Sequence, residues 1–407
     1  MTLIECFTES HIDNIAAYLR LRPDKMIMVG NITQMGASIK RYQKLLKQRG
    51  VATTIVACNV QRMDLDEIYT VLKEVILKEK ECIVDLTGGD ACTVMAVGAI
   101  LAELPIAARQ RIRVEKFDHD TATVRDCIHD NRIVWTEKVN LTVAELIALH
   151  GGVLHPAAYQ PPTNSSFRDL DGLWQIVSES PKAWNRAIML LSEFESRSDS
   201  KMQVYLPLEH LRNSISNFEM KEETVRDLLD KLQRKNVIHN QSSRNVLEYT
   251  YNSQILRYCT LKAGNVLEAK TLLEGRAVLE NGAPYFHDCQ ISVSIDWDGV
   301  VHDPIDRVPE TRNEIDVVLM HEMTPLFISC KNGNIGEEEL YKLHTVAERF
   351  GGPYAKKMLI ATDLDQKSPA ANRAFVQRAW DMDIFLVTDA AELSKEEWRQ
   401  VFKKAMQ

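Results

Sequence analysis

The sequence lacks the features that announce several common classes of protein. Its eight cysteines (Cys6, Cys58, Cys82, Cys92, Cys127, Cys259, Cys289, Cys330) include no Cys-x-x-Cys pair and sit mostly among apolar residues. That argues against a zinc ribbon or a disulfide framework and for small buried hydrophobes in a reducing compartment. No run approaches the ~20 apolar residues of a membrane helix, and the N-terminus lacks the shape of a signal peptide. A cytoplasmic protein without membrane contact is expected. Excess positive charge is missing too: 49 Lys and Arg stand against 57 Asp and Glu, a net charge of −8. Any contact with nucleic acid must therefore use a local basic patch and be sensitive to salt. The Gly-x-Gly-x-x-Gly fingerprint is absent, which weighs against an ordinary NAD site. There is no internal repeat and no low-complexity tract. What remains is 407 residues, 45% of them hydrophobic, enough for two or three domains.

The first 136 residues or so alternate short β runs with amphipathic helical ones. Strands are predicted at Leu3–Phe7, Lys25–Val29, Val51–Ala57, Cys82–Leu86, Arg111–Lys116 and Arg132–Thr136, with helices at Ile12–Leu21, Ile39–Gln48, Leu65–Leu77 and Ala91–Leu104. Such alternation implies a parallel sheet covered on both faces, with ligands beyond the carboxyl ends of the strands. Three loops at those ends are candidates for a binding pocket: Thr8, Glu9 and Ser10; Asn31 to Thr33; and Thr87, Gly88, Gly89 and Asp90. Paired glycines let the backbone approach a ligand, and a helix N-terminus offers N–H groups to phosphate. A plain Gly-Gly turn capped by Asp90 is the simpler account of the last loop.

Gly151-Gly152 and the stretch 156–166, rich in Pro and Ser, form the clearest linker, so domains are expected at 1–150, 151–258 and 259–407. The middle one reads as helix (207–214), helix (222–236) and β-wing (237–251), an arrangement like a winged helix. Val225, Leu228, Leu229 and Leu232 fall on one helical face. Arg226, Lys231, Arg234, Lys235 and Arg244 would meet DNA, but Glu222, Glu223, Asp227 and Asp230 share that surface and would repel phosphate. A structural spacer is the better reading.

Residues 313–331, NEIDVVLMHEMTPLFISCK, read as a hairpin whose turn is His321–Pro325, since proline cannot donate to a central ladder. Asp316, Val318 and Met320 share one strand face, and folding back brings Ser329 and Lys331 across from Asp316. A carboxylate, a hydroxyl and a lysine thus converge. Phosphodiester cleavage uses such a set, with a carboxylate on Mg²⁺ or Mn²⁺ and a lysine supporting the nucleophile or the developing charge. On spacing alone, a half-exposed hairpin with scattered charges fits as well. Further carboxylates are available at Glu314, at Glu268 on a preceding helix, and at Glu337, Glu338 and Glu339 on the next one. Asp296, Asp298, His302 and Asp303 read as turn and capping residues. Lys356, Lys357, Lys367, Arg373 and Arg378 are candidates to track a phosphate backbone, and Tyr341 and His344 to stack on a base.

Two resemblances sharpen this. The hairpin resembles the core motif of the PD-(D/E)xK nucleases, with Asp316 as the metal-binding acid and Lys331 as the motif lysine. Ser329 stands where that family has Glu or Asp. The resemblance implies that a helix glutamate, Glu268, joins the metal region; Glu339, nearest the inward face of its helix, is the first choice for the missing carboxylate. The strand ending Leu86-Thr87-Gly88-Gly89 resembles the CRISPR-associated Rossmann-fold (CARF) domains, which bind cyclic oligoadenylates across a homodimer. Many of those have Thr-Lys where this chain has Asp90-Ala91.

The pair of domains resembles the accessory nucleases of type III CRISPR defence. It implies an α/β architecture: a Rossmann-like CARF domain, a helical, winged-helix-like middle segment and an α/β restriction-endonuclease-like C-terminal domain. It also implies a homodimeric, cyclic-oligoadenylate-activated endonuclease dependent on Mg²⁺ or Mn²⁺, with cyclic tetraadenylate the foremost ring and nucleic acid the substrate. The alternative is a ligand-responsive nucleic-acid-binding regulator whose nuclease fold is inactive. Nucleotide-dependent metabolism by the front domain is disfavoured by the missing dinucleotide fingerprint.

Overall fold

The computed structural model describes all residues except 52, 120, 122, 137, 156–165, 197–201, 218–220, 301–311, 334, 363 and 365–367. His302, Asp303, Lys367 and most of the expected linker lie outside the described residues. The chain forms two compact units. One comprises 1–153 with 297–309 and 349–353; the other comprises 154–296, 310–348 and 354–407. The stretches expected at 151–258 and 259–407 thus share one unit, apart from residues 151–153 and the two short returns to the first.

The first unit runs β1 (Thr2–Cys6), α1 (His11–Leu21), β2 (Lys25–Gly30), α2 (Ile32–Gln48), β3 (Thr54–Asn59), α3 (Leu65–Lys78), β4 (Cys82–Asp85), α4 (Ala91–Glu103), α5 (Ile106–Arg109), β5 (Ile112–Asp118), β6 (Thr123–Asp126), β7 (Ile133–Trp135) and α6 (Val143–Leu149). Its seven strands are ordered β3-β2-β1-β4-β5-β6-β7. The first five are parallel, as the strand-helix alternation demands, and β6 and β7 add an antiparallel edge. Strand β6 was not expected, and the strand expected at 132–136 is its antiparallel partner β7. The sheet reverses direction between β1 and β4, the switch point where a Rossmann-like sheet opens a crevice. One face is dry: Ile4, Ile27, Val84 and Val114 pack with Leu72, Val97 and Ile100 of α3 and α4.

A short strand, β8 (Val153–Leu154), leads into the second unit, which opens with α7 (Ser166–Glu179) and α8 (Pro181–Ser196). Next come β9 (Gln203–Pro207), α9 (Leu208–Asn217), α10 (Glu222–Arg234), β10 (Ile238–Asn240) and β11 (Val246–Tyr251). Their three strands pair in the order β10-β11-β9, which gives the strand-helix-helix-strand-strand arrangement of a winged helix. Val225, Leu229 and Leu232 of α10 are fully buried, as their spacing requires.

The rest runs α11 (Gln254–Cys259), α12 (Asn265–Arg276), the short pair β12 (Leu279–Glu280) and β13 (Ala283–Pro284), β14 (Asp288–Asp296), β15 (Arg312–His321), β16 (Thr324–Lys331), α13 (Glu337–Gly351), β17 (Lys356–Ala361), α14 (Pro369–Asp381), β18 (Ile384–Val387) and α15 (Lys395–Ala405). The main sheet is β18-β17-β16-β15-β14-β8, antiparallel from β14 to β16 and parallel from β16 to β18. Helix α12 is buried along most of its length and packs on β14, β15 and β16.

The hairpin turn is tighter than expected. Only Glu322 and Met323 connect the strands, Glu322 taking φ +55°, and Pro325 lies inside β16 opposite Met320. The reason is the ladder's alternation. With His321 and Thr324 as the closing pair, the next pair outward exchanges no backbone hydrogen bonds, so the missing N–H of Pro325 costs nothing. Pairing with β17 starts only at Leu326.

Among the described residues no helix is long and apolar enough to cross a membrane. All eight cysteines are free.

Candidate functional sites

At the switch point of the first unit the expected residues are fixed by their neighbours. Ser10, Asn31 and Asp90 are the N-caps of α1, α2 and α4, accepting from the N–H groups of Asp13 (3.4 Å), Thr33 (3.0 Å) and Thr93 (2.8 Å). Helix α2 therefore starts at Ile32 rather than near Ile39, and Thr33 belongs to its first turn. Thr8 is gripped at both backbone ends by one amide: its N–H donates to Asn14 Oδ1 (2.9 Å) and its carbonyl accepts from Asn14 Nδ2 (2.7 Å). Thr87 donates its N–H (2.9 Å) and its hydroxyl to Asp85 Oδ1, and its Oγ1 accepts from the N–H of Phe117 (2.9 Å).

The loops after β1 and β4 touch. A side chain at Gly88 would meet Thr8 Cγ2 at 2.6 Å and the Cys6 carbonyl oxygen at 3.0 Å, so only glycine allows this approach. Glu9, Thr33 and Asp90 are exposed at the rim, and Thr8, Thr87, Gly88 and Gly89 are half-buried. The result is a preorganised junction of loops in which the Thr8 and Thr87 N–H groups and the Thr87 hydroxyl are already engaged. Asp85, at its base, is pushed up to about 6 by burial, against the pull of the Thr87 hydrogen bonds.

In the second unit the ladder breaks at Asp316. Pairing of β14 with β15 runs from Asp288–Met320 to Ile291–Val317 and resumes at Val293–Ile315, which skips Ser292 opposite Asp316. Ser292 has φ +50°. Pairing of β15 with β16 stops at Val317–Ile328. Beyond that point the Cys330 N–H donates to Asp316 Oδ2 (2.6 Å), and Ser329 Oγ lies 3.3 Å from the same oxygen. Lys331 Nζ sits 3.8 Å from Asp316 Oδ2 and 2.9 Å from Glu339 Oε2, and Lys342 Nζ holds Glu339 Oε1 at 2.8 Å.

The electrostatics separate the acids. Burial pushes Glu268 up to about 7, with the charge of Asp316 the next cause. Burial likewise raises Asp316 against the pull of Lys331, and Glu314 adds to the rise. Glu339 goes the other way: burial works to raise it, but Lys342 and Lys331 outweigh that and hold it low. Burial also works against the charge of Lys331, yet Asp316 and Glu339 raise its pKa, so it is a firm cation. Of the two sequence candidates for a second carboxylate, Glu339 serves the lysine, while Glu268 shares its field with Asp316. Glu314, Glu337 and Glu338 are exposed.

Among the described residues no three His, Cys, Asp or Glu form a group able to hold a metal by themselves. A small divalent cation does not require three. Mg²⁺ is commonly held by one or two carboxylates and completed by waters and substrate phosphates. Two half-buried carboxylates, the charge of one raising the pKa of the other, fit such an ion, whose binding would remove the penalty.

Tyr258, Ser292 and Lys342 join this site without a motif to mark them, since only the folded chain brings them together. Tyr341 accepts from Arg378 Nη1, and His344 Nδ1 lies 3.0 Å from Lys357 Nζ. In the winged-helix segment, Arg226 pairs with Glu222 (2.8 Å) and reaches the Ser243 carbonyl (3.1 Å), and Lys231 lies 3.8 Å from Glu179.

No family model matches the sequence, and no curated protein does. Solved structures do. Protein VC1899 from Vibrio cholerae matches with a TM-score of 0.73 at 15% identity, over 100% of this chain and 97% of that one. Can2 from Sulfobacillus thermosulfidooxidans, solved in complex with cyclic tetra-adenylate (cA4), matches with a TM-score of 0.65 at 16% identity, over 100% and 97%. The chain has the fold of these α/β proteins from end to end. A type III CRISPR defence DNA nuclease activated by cyclic oligoadenylate matches with a TM-score of 0.47 at 12% identity, over 91% of this chain and 46% of that one.

Proposed function

We propose that the chain is a cytoplasmic, cyclic-oligoadenylate-activated, metal-dependent endonuclease of type III CRISPR defence, acting as a homodimer. The observation that carries it is the convergence of Asp316, Glu268 and Lys331 at a break in the central ladder. It is supported by an end-to-end fold match to a protein solved with cA4. Residues 1–150 would be the sensor, 259–407 the nuclease and 151–258 the spacer between them.

In the sensor, the loops Thr8–Ser10, Asn31–Thr33 and Thr87–Asp90 receive the ring, its phosphates facing the N-termini of α1, α2 and α4. Cyclic tetraadenylate is the first ring to test. A second copy docks through α4, whose outer face is a continuous apolar stripe. Ala91, Val94, Met95, Gly98, Ala99 and Ala102 recur at helical spacing and are all exposed. Four of the six are Ala or Gly and permit close approach. Because the helix starts directly after Asp90, pairing two copies there brings two ligand loops together.

In the nuclease, Asp316 and Glu268 would hold Mg²⁺ or Mn²⁺, with Ser329 beside them. The cation would activate water and neutralise phosphate charge. The Cys330 N–H fixes the Asp316 carboxylate. Lys331, kept protonated between Asp316 and Glu339, stabilises negative charge on the scissile phosphate instead of acting as a base.

The test is incubation of the protein with Mn²⁺, cA4 and supercoiled plasmid or single-stranded nucleic acid. Cleavage that requires both additions, and is lost in Asp316→Ala, supports this reading. Ser329 favours the other reading, a ligand-responsive regulator with an inactive nuclease fold. A gel shift without cleavage under every condition would establish it instead.

A further inference from the structure

We propose that Tyr258 is a positioning residue of the cation site: its hydroxyl aims Glu268 at Asp316 by tethering it to Ser292. This rests on the nuclease reading above and adds a residue to it.

Tyr258 Oη donates to Glu268 Oε2 (3.1 Å) and lies 2.9 Å from Ser292 Oγ. Ser292 occupies the place on β14 facing Asp316, between the pairs Ile291–Val317 and Val293–Ile315, where the ladder is open. Its φ of +50° is a strained choice for a serine. The phenol therefore connects the helix acid to the strand residue opposite the strand acid.

Tyr258 is itself held. Its carbonyl accepts from Asn265 Nδ2 (2.8 Å), its ring packs on the hydrophobic core, and Ser253 caps the helix that carries it. The same junction grips the other end of the site. Asn332, next to Lys331, donates to the Ala263 carbonyl (3.2 Å) and accepts from the Thr362 hydroxyl (2.7 Å). One short segment, 258–265, thus sets the frame for both Glu268 and Lys331.

The aim of this glutamate matters more here than in a site with an acid at 329. With Ser329 in that place, the nearest acid tied to the residue facing Asp316 is Glu268, through the Tyr258 hydroxyl and Ser292. A free glutamate samples several rotamers and the productive one must be selected at a cost, whereas a tethered one is set beforehand.

The experiment is Mn²⁺ binding by calorimetry to the full-length protein without nucleic acid, comparing wild type, Tyr258→Phe, Ser292→Ala and Glu268→Gln. Loss of an outer-shell hydrogen bond typically costs ~10–100-fold in metal affinity. Tyr258→Phe is expected to weaken Mn²⁺ about 10-fold, and Ser292→Ala less, because it leaves the phenol on the glutamate. Cleavage by Tyr258→Phe should need correspondingly more Mn²⁺ and return to within about 3-fold of wild type at saturation. Binding of cA4 and the melting temperature should stay the same, which shows that the fold is intact.

Unchanged Mn²⁺ affinity in Tyr258→Phe, with affinity lost in Glu268→Gln, overturns the positioning role and leaves the nuclease intact. A fall in cleavage at saturating Mn²⁺ without a change in affinity overturns it too. Absence of Mn²⁺ binding and cleavage in the wild type overturns the nuclease reading and this role together.

Discussion

Both units gather carboxylates in or against their central sheets, and they settle them in different ways. In the first unit four acids form one row across adjacent strands: Glu5 pairs with Asp85, Asp85 with Glu115, and Glu115 with Asp126. All four are at most 1% exposed. Three are answered by the protein. Asp85 takes the Thr87 hydrogen bonds, Glu115 binds Arg20 and Arg113, and Asp126 accepts from His129 Nδ1 (2.9 Å) and the N–H groups of Ile128 and His129. In the second unit, Asp316 faces one lysine, which Glu339 also claims, and Glu268 is held by the Tyr258 hydroxyl. Hydrogen bonds do not separate the two sets, since Asp316 also accepts from the Cys330 N–H; exposure does, the row being sealed from solvent while Asp316 and Glu268 are half-buried. A half-buried pair of acids at a ladder break can be reached by something that arrives later, which a sealed row cannot.

Removing Asp316 should have the largest effect. Asp316→Ala is expected to lower Mn²⁺-dependent cleavage by ~10³-fold or more while cA4 binding stays at the wild-type level, as seen in a plasmid assay paired with calorimetry. The variant should also gain thermal stability without metal, because a buried repulsion is gone. A loss of stability instead would mean that Asp316 is architecture like the row in the first unit.

The mirror experiment is Arg20→Met. Arg20 and Glu115 are 3% and 1% exposed, and stranding a buried charge costs ~3–5 kcal/mol. Denaturant unfolding should show a loss of that order, and the double variant Arg20→Met with Glu115→Leu should recover most of it. A small loss in the single variant would blur the distinction between the two units.

Within the row, Glu5 breaks the pattern. Among the described residues neither of its carboxylate oxygens has a hydrogen-bond partner, and burial, helped by Asp85 and Asp13, raises its pKa well above the ordinary carboxyl value. A folded pKa above the unfolded one means full stability below ~4.3, lost progressively as pH rises toward the folded value. Glu5→Gln removes that loss. Its melting temperature should match wild type near pH 4 and exceed it increasingly toward pH 8, by ~2–4 °C for each kcal/mol gained. Parallel melting curves across that range would show that Glu5 finds a partner in solution.

Much of this contrast was visible in the sequence only in pieces. The alternation of β runs and amphipathic helices located β1 to β5, because period and turn chemistry are local properties. Ser10 and Asp90 were readable as polar residues ahead of helices, since a cap is decided within four residues, whereas Asn31 was not, because α2 was expected to start near Ile39. The hairpin at 312–331 was legible from its alternation, but its turn was not: the proline rule holds only where the missing N–H would have been used. The acid row was invisible. It depends on the register of four strands spread over 120 residues, and no local pattern says which of Glu5, Asp85, Glu115 and Asp126 come abreast. Tyr258 was hidden for the same reason. It lies ten residues before Glu268 on another helix, and only packing turns it toward that acid.

The smallest effect belongs to the basic residues of α10, and it tests whether the second unit meets nucleic acid at one place or two. Arg226 is engaged by Glu222 and by the Ser243 carbonyl, and Lys235 donates to Gln175 Oε1. Lys231 faces Glu179, and Glu222, Glu223, Asp227 and Asp230 lie on the same helix. Cations already matched by neighbouring acids release few counterions when a phosphate approaches, so they add little affinity. Lys231→Ala and Lys235→Ala should change the binding of a labelled strand by less than ~0.5 kcal/mol, about 2-fold, with the salt slope unaltered. Fluorescence anisotropy at two salt concentrations reads both quantities. A drop beyond 10-fold with a shallower slope would turn the winged helix from a spacer into a reader, and the site at Asp316 would then receive a strand already held by its own chain.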